Sequence, residues 1–263
     1  MKSYEGYIFD MDGVVYRGDK PIESAIKIIN KLKSEGRKTM FITNNSAKLP
    51  GEYQSILLRI GVETVNETDI ITAGNVAANY LKKQLKIKPE KNKVFCISEE
   101  SVKQLIREIG MKVLDIKYHR EADYVVVGFY KKFNWEMGSR AANAIATYGA
   151  TFIGTNPDFA RPVENGEIEA GTGSIIAFIE SASSTEALLM GKPYPEMYVM
   201  AMERMNMVKS KILMVGDMLT TDIKGAIDFG MDSALVLTGM STEKDIEKTG
   251  IRPNYIIRNL EEL

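Results

Sequence analysis

The sequence predicts an α/β fold, a doubly wound parallel sheet with a second α/β domain inserted into it. Three observations predict this. Short apolar runs alternate with stretches of helical periodicity at both ends of the chain, the pattern of a parallel sheet covered on both faces. A middle region of about 95 residues has its own alternation and apolar runs, the size of a small independent domain. Two linker-like stretches, the charged "KIKPEKNK" and the small polar "SASST", bracket that region. The expected organisation is a core of residues 1–87 and 185–263 carrying an insert of residues 88–184. A chain of 263 residues is long enough to give each a core of its own.

The elements follow in order. "GYIFD" (6–10) reads as a short buried strand, and "GDKP" as a turn. Ile22, Ala25, Ile26, Ile29 and Leu32 then recur at helical spacing up to Gly36. "KTMFITNN" is a second strand, "GEYQSILLRIG" a helix, "DIITA" a third strand and "NVAANYLKKQL" a helix. Right-handed crossovers between such strands bring the strand ends at Asp10 and Thr43 to one edge. The insert reads as the strand "VFCIS", a helix around "SVKQLIREIG", the strand "YVVVGFY", a helix from Trp135 to Tyr148, the strand "TFIGTN" and "GTGSIIAFIE". In "GTGS" (171–174) the spacing is too short for a dinucleotide fingerprint and reads as helix-entry turn chemistry. Beyond it lie "ALLMGKP", the helix "PEMYVMAMERM" with methionines as core filler, the strand "KILMVGD", a helix from Asp222 to Gly230, the strand "SALVLTG", a short helix and "NYIIRN".

Composition narrows the chemistry. Lys and Arg number 34 against 35 Asp and Glu, so no global field steers the chain toward nucleic acid or an anionic membrane, and neither is expected as a partner. One cysteine excludes an internal disulfide, and Cys96, inside "VFCIS", reads as a buried thiol. A cysteine phosphatase would want an arginine six residues later, where Val102 stands. One histidine excludes a multi-histidine metal site. That residue, His119 in "KYHREAD", reads as part of a solvated bend. With no secretory pattern and no run of 18 apolar residues, the expectation is a cytoplasmic protein.

Four stretches of the core end at strand tips or helix starts, and each offers one chemical part. "DMDGV" supplies Asp10 and Asp12, "ITNNS" supplies Thr43 and Asn44, "GKP" supplies Lys192, and "VGDMLTTDI" supplies Asp217 and Asp222. Residues i and i+2 of a strand share a face, so Asp10 and Asp12 start on the same side. At ~4 Å and an effective dielectric near 20 two such charges repel by about 4 kcal/mol, so something must offset them.

In this order the four stretches resemble the motifs of the haloacid dehalogenase (HAD) superfamily. The nearest likeness is to the phosphatases called NagD-like or p-nitrophenyl-phosphatase-like, which share "DxDGV", "TNN(S)", "GKPxP" and "GDxxxTDI". Those phosphatases carry a large α/β cap inserted between the second and third motifs, and "GTNPD" (154–158) resembles part of it.

The resemblance implies a Rossmann-like HAD core and a Mg²⁺-dependent phosphomonoester hydrolase acting through an aspartyl-phosphate. Asp10 is then the nucleophile, and Asp12 protonates the leaving alcohol and later serves as base. Thr43 and the backbone amide of Asn44 bind the phosphoryl oxygens, and Lys192 neutralises charge in the transition state. Mg²⁺ is held by Asp10, Asp217 and the main-chain carbonyl of Asp12, hard oxygen donors suited to that ion. Asp222 either holds a metal-bound water or caps a helix. From the cap, Asn156 and Asp158 are candidate substrate contacts. The implied partner is a small phosphate ester (a sugar phosphate, phosphoglycolate, nucleotide or aryl phosphate), and a homodimer through the cap follows by analogy. Two alternatives stand beside this reading: phosphoryl transfer to an alcohol, and a phospho-accepting signalling domain.

Overall fold

The run "GYIFD" forms a strand, β1 (Gly6–Asp10), in which every residue is buried, as a strand covered on both faces requires. This computed structural model describes residues 2–162 and 167–263. After β1 come a small antiparallel hairpin, β2 (Tyr16–Arg17) and β3 (Lys20–Pro21), then α1 (Glu23–Ser34), β4 (Lys38–Thr43), α2 (Pro50–Arg59) and β5 (Ile70–Thr72). The middle of the chain forms α3 (Ala73–Ile87), β6 (Lys93–Ile97), α4 (Glu100–Glu108), β7 (Lys112–Leu114), β8 (Tyr124–Val127), α5 (Trp135–Ala146) and β9 (Thr151–Gly154). It continues through the antiparallel pair β10 (Ala160–Pro162) and β11 (Ile168–Ala170), then α6 (Thr172–Ser183) and β12 (Leu188–Leu189). The last part is α7 (Pro195–Met205), β13 (Ile212–Gly216), α8 (Lys224–Phe229), β14 (Asp232–Val236), α9 (Glu243–Thr249) and β15 (Tyr255–Ile257).

These elements group into two compact units. One comprises Met1–Thr43, Pro50–Ile71 and Lys192–Leu263, and the other Asn44–Leu49 and Thr72–Gly191. Helix α3 and the segment Asn44–Leu49 therefore pack with the second unit, although both lie in the stretch assigned to the core from sequence.

The first unit is built on a parallel sheet of six strands in the order β15-β14-β13-β1-β4-β5. The chain leaves β1 toward β4 on one side and returns to β13 on the other. The strand order thus reverses at β1, a topological switch point, where open α/β sheets place ligands beyond the carboxyl ends of their strands. Register fixes which residues reach that edge: Asp10 pairs with Ile42, one residue before Thr43, and Phe9 pairs with Val215, two before Asp217. The apolar periodicity of α1 buries Ala25, Ile26, Ile28, Ile29 and Leu32 against a cluster that includes Tyr7, Phe9 and Phe41. Burying each such large apolar side chain is worth about 1.5–3 kcal/mol, so the strand ends stand on a rigid base. Methionines 197, 200 and 205 of α7 are buried, as expected of core filler.

The second unit has a parallel five-stranded sheet in the order β12-β9-β8-β6-β7. Its core joins Phe95, Val125, Val127 and Phe152 of the sheet to Ala141, Ile145, Ile176 and Ile179 of α5 and α6. Two readings of this region divide. Cys96 is buried as expected. His119 is not in a solvated bend. A short 3₁₀ turn, Ile116–Glu121, leaves it only 2 % exposed, its ring edge-on to Tyr148. A neutral imidazole tolerates burial where a charged side chain would not, and the composition of the stretch hid that.

Candidate active site

The end of β1 sets the site. Asp10 is its last residue, 8 % exposed, and the chain then turns sharply so that the amides of Val15 and Tyr16 both donate to the Met11 carbonyl. Asp12 lies in this turn, bridged to Tyr16, and is exposed. The paired aspartates therefore part company: one carboxylate is buried at the strand tip and the other faces solvent. Gly13 follows with a positive φ of 83°, and a Cβ there would come within 2.4 Å of Asp217 Oδ2. Only glycine fits both the backbone and the space.

Asp217 comes directly after β13 and is 3 % exposed, its Oδ2 accepting the Met240 amide at 2.7 Å. Asp222 lies five residues on, inside a wide π-type turn, Leu219–Ile223, that precedes α8. The helix expected to start at Asp222 thus begins two residues later, and Asp222 caps nothing on α8. Its Oδ2 instead accepts the Met218 amide at 3.1 Å, closing the turn, while Oδ1 accepts from Lys192 Nζ at 2.6 Å. Such turns are frequent at functional sites because they re-aim one side chain.

Asp10, Asp217 and Asp222 each bring an oxygen within 4.8 Å of the others, and all three are buried. Lys192, 2 % exposed, reaches into this group and donates to Asp10 Oδ1 at 2.5 Å. Burial, with Asp222 and Asp217 nearby, holds the Asp10 carboxyl well above the usual carboxylate range, and Lys192 works against that rise. Burial and then Asp222 push Asp217 up to about 7, against the pull of the Met240 amide. Burial alone would lower the lysine; the carboxylates of Asp10 and Asp222 outweigh it and keep Lys192 charged, above its ordinary range. One ammonium stands among three buried carboxyl groups, and burial opposes the ionisation of Asp10 and Asp217. The donor set, all carboxylate oxygen, is what a hard divalent cation takes, so the residues fit such an ion.

The other expected residues divide between the units. Thr43, buried at the end of β4 in the first unit, donates a hydrogen bond to the Tyr53 hydroxyl oxygen. Asn44, Asn156 and Asp158 belong to the second unit. There the Asn44 carbonyl accepts from Asn156 Nδ2 at 2.8 Å, and its side chain donates to Asp158 at 3.3 Å. Sequence reasoning missed Tyr16, partly buried, and Tyr53, buried, two phenols near the Asp10 and Asp12 charges, and also the Met240 amide. It missed Tyr198 as well, whose hydroxyl donates to the Asp222 carbonyl at 3.1 Å. No local motif marks these residues. Tyr53 and Tyr198 read as ordinary apolar positions of helices, and Met240 as a loop.

Comparison with known proteins gives the family. Family models described as haloacid dehalogenase-like hydrolase and HAD-hydrolase-like match residues 7–112 and 189–263. The chain is 32 % identical over 262 residues to an acid sugar phosphatase of Staphylococcus aureus (strain USA300), covering 100 % of this chain and 97 % of that one. This chain belongs to the haloacid dehalogenase-like hydrolase family. Among solved structures, a p-nitrophenyl phosphatase from Archaeoglobus fulgidus superposes on the HAD chain with a TM-score of 0.90 at 31 % identity, covering 100 % of both. NagD from E. coli K-12 does so with a TM-score of 0.88 at 26 % identity, covering 100 % of this chain and 99 % of NagD. The HAD chain is a phosphatase of the NagD-like subgroup. Among the described residues, no helix is long and apolar enough to cross a membrane.

Proposed function

We propose that the chain is a Mg²⁺-dependent hydrolase of small phosphate esters, sugar phosphates and aryl phosphates among them, acting through a phospho-aspartate at Asp10. The observation that carries this reading is the buried group of Asp10, Asp217 and Asp222 around Lys192. An acid sugar phosphatase and a p-nitrophenyl phosphatase among its relatives support the substrate class.

Asp10 attacks phosphorus through a carboxylate oxygen, and the ester oxygen leaves. Lys192, pinned between Asp10 and Asp222, opposes the rise that burial imposes on the Asp10 carboxyl and offers positive charge to the phosphoryl oxygens. Asp12, exposed in the turn after β1, can exchange protons with water. It protonates the leaving alcohol, then takes a proton from the water that hydrolyses the phospho-aspartate. Thr43 and the Asn44 amide receive the phosphoryl oxygens. Asp10, Asp217 and the Asp12 carbonyl would hold the cation. Both oxygens of Asp222 are engaged, by Lys192 and by the Met218 amide, which suits Asp222 to orienting rather than ligating. When bound, Mg²⁺ neutralises the carboxylates and polarises the phosphoryl group. The inserted domain, residues 88–184, acts as the cap that selects the organic part of the ester.

The test is phosphate release from p-nitrophenyl phosphate and a panel of sugar phosphates, with and without Mg²⁺. Metal-dependent release is expected from both kinds of ester. No release from any of them would contradict the reading.

A further inference from the structure

The segment Asn44–Leu49, directly after β4, is fastened inside the second unit. The Ser46 carbonyl accepts from Ser101 Oγ at 2.7 Å, and Ser46 Oγ accepts from the Phe129 amide at 3.2 Å. Asn156 adds a further restraint. This side chain is 3 % exposed. Its Nδ2 donates to the Asn44 carbonyl at 2.8 Å and lies 3.3 Å from Thr155 Oγ1 and 3.2 Å from Thr172 Oγ1. Its Oδ1 accepts from the Asp158 amide at 3.2 Å. The Asn44 carbonyl can only accept and the Asp158 amide can only donate, so the position needs a carboxamide; a carboxylate satisfies one of them and repels the other.

The surroundings are shaped for this contact. A Cβ at Gly173 would lie 2.3 Å from the Pro157 carbonyl oxygen, and one at Gly171 would lie 2.1 Å from that of Asp158. The amide of Gly173 donates to the Asp158 carbonyl at 2.9 Å. The "GTGS" turn is thus the floor on which residues 156–158 rest, besides being the entry to α6. On the other side, a Cβ at Gly191 would come within 2.7 Å of Asn44 Oδ1 and 3.0 Å of Asn156 Cβ.

We propose that Asn156 is a positioning residue that fixes the Asn44 backbone through its carbonyl, and not a contact to the substrate's organic part. With its carbonyl held by Asn156 and its side chain held by Asp158, Asn44 is restrained at two of the bonds from its Cα, which narrows the directions open to its N–H. This rests on the reading above, in which that N–H receives a phosphoryl oxygen. Preorganised donors of this kind are worth about 10²–10³-fold in rate, because they need no reorientation as charge develops. The requirement applies to the phosphoryl group, which every substrate shares, so Asn156 acts on all esters alike.

Asn156→Asp keeps the size and the acceptor and loses both donors; Asn156→Ala removes the side chain without adding charge, should the first variant fold poorly. Three quantities are measured in each and in the parent: kcat and KM on p-nitrophenyl phosphate, the same on a sugar phosphate, and the affinity for inorganic phosphate by calorimetry. A thermal melt establishes the folded fraction. The expected result is a fall in kcat/KM of about 10²–10³-fold, equal for both esters, with inorganic phosphate bound at least tenfold more weakly by folded protein. A fall confined to the sugar phosphate would overturn the proposal and make Asn156 a substrate contact. A lowered melting temperature with unchanged phosphate affinity would overturn it too, leaving a purely structural role. If the parent protein hydrolyses neither ester yet binds inorganic phosphate, the hydrolase reading fails while the phosphate comparison still decides this one.

Discussion

Lys192 Nζ lies 2.5 Å from Asp10 Oδ1, with both residues buried at the end of β1. The same ammonium lies 2.6 Å from Asp222, so one cation ties the proposed nucleophile to the turn after β13. The charge problem posed by "DMDGV" is met in part by this lysine and in part by sending Asp12 to solvent.

Removing the lysine should therefore cost both stability and rate. Lys192→Met leaves two buried carboxylates without their partner, a loss of about 3–5 kcal/mol for a broken buried pair. Turnover should fall about 10²–10³-fold, as for loss of one charge-stabilising donor. Urea unfolding and initial rates measure the two. Lys192→Arg should not restore activity, because a planar guanidinium does not replace a compact ammonium in a closed site.

Exhaustive chelation should abolish hydrolysis and Mg²⁺ should restore it. Ca²⁺ should support little, since its looser and higher coordination disturbs in-line geometry. Because the ion neutralises buried carboxylates, Mg²⁺ should also raise the melting temperature of chelated protein, and Asp217→Asn should blunt that rise. Full activity after chelation would contradict the metal assignment.

His119 predicts acid sensitivity. Burial lowers its pKa, helped by Arg140 and Arg120 and opposed by its hydrogen bond to the Ile116 carbonyl. Folding thus favours the neutral ring. The stability this gives is complete above the unfolded value near 6.5 and is lost as pH falls through the lower folded value. In Asn at position 119 the amide nitrogen can keep the donor to Ile116 but cannot charge. Denaturation curves should show wild type losing stability relative to His119→Asn between pH 6.5 and 5, about the histidine range, with the gap unchanged above pH 7.5.

Cys96 should be inert in the native protein. Burial pushes its thiol up to about 11, so little thiolate exists at pH 8. An aromatic disulfide reagent should label it slowly when folded and at once in denaturant. Rapid native labelling would show that β6 opens.

Much of this architecture is legible in the sequence because its parts are local. A buried strand announces itself as an apolar run, and the residue after the run falls on the sheet edge; Asp10, Thr43 and Asp217 are found that way. Helix periodicity likewise marks the buried face of α1. What the sequence conceals is non-local. Nothing near Asn44 signals that its carbonyl meets Asn156, 112 positions later, or that Met240 supplies an amide to Asp217. Asp222 is ambiguous for a related reason: its role depends on a π-type turn and on a lysine 30 residues away, neither visible in "TTDI". His119 misleads because charged neighbours mask a buried position.

The division of labour between Asp10 and Asp12 is the centre of this account, and a rapid-quench experiment tests it most directly. p-Nitrophenolate hardly needs protonation to leave, whereas general acid assistance is worth about 10²–10⁴-fold for a poor leaving group. With p-nitrophenyl phosphate, Asp12→Asn should therefore give a burst of p-nitrophenolate and leave labelled phosphate on the protein, because the nucleophile remains and the base for the second step is gone. Asp10→Asn should give no burst and no label. A burst in Asp10→Asn with none in Asp12→Asn would contradict the assignment and exchange the two roles.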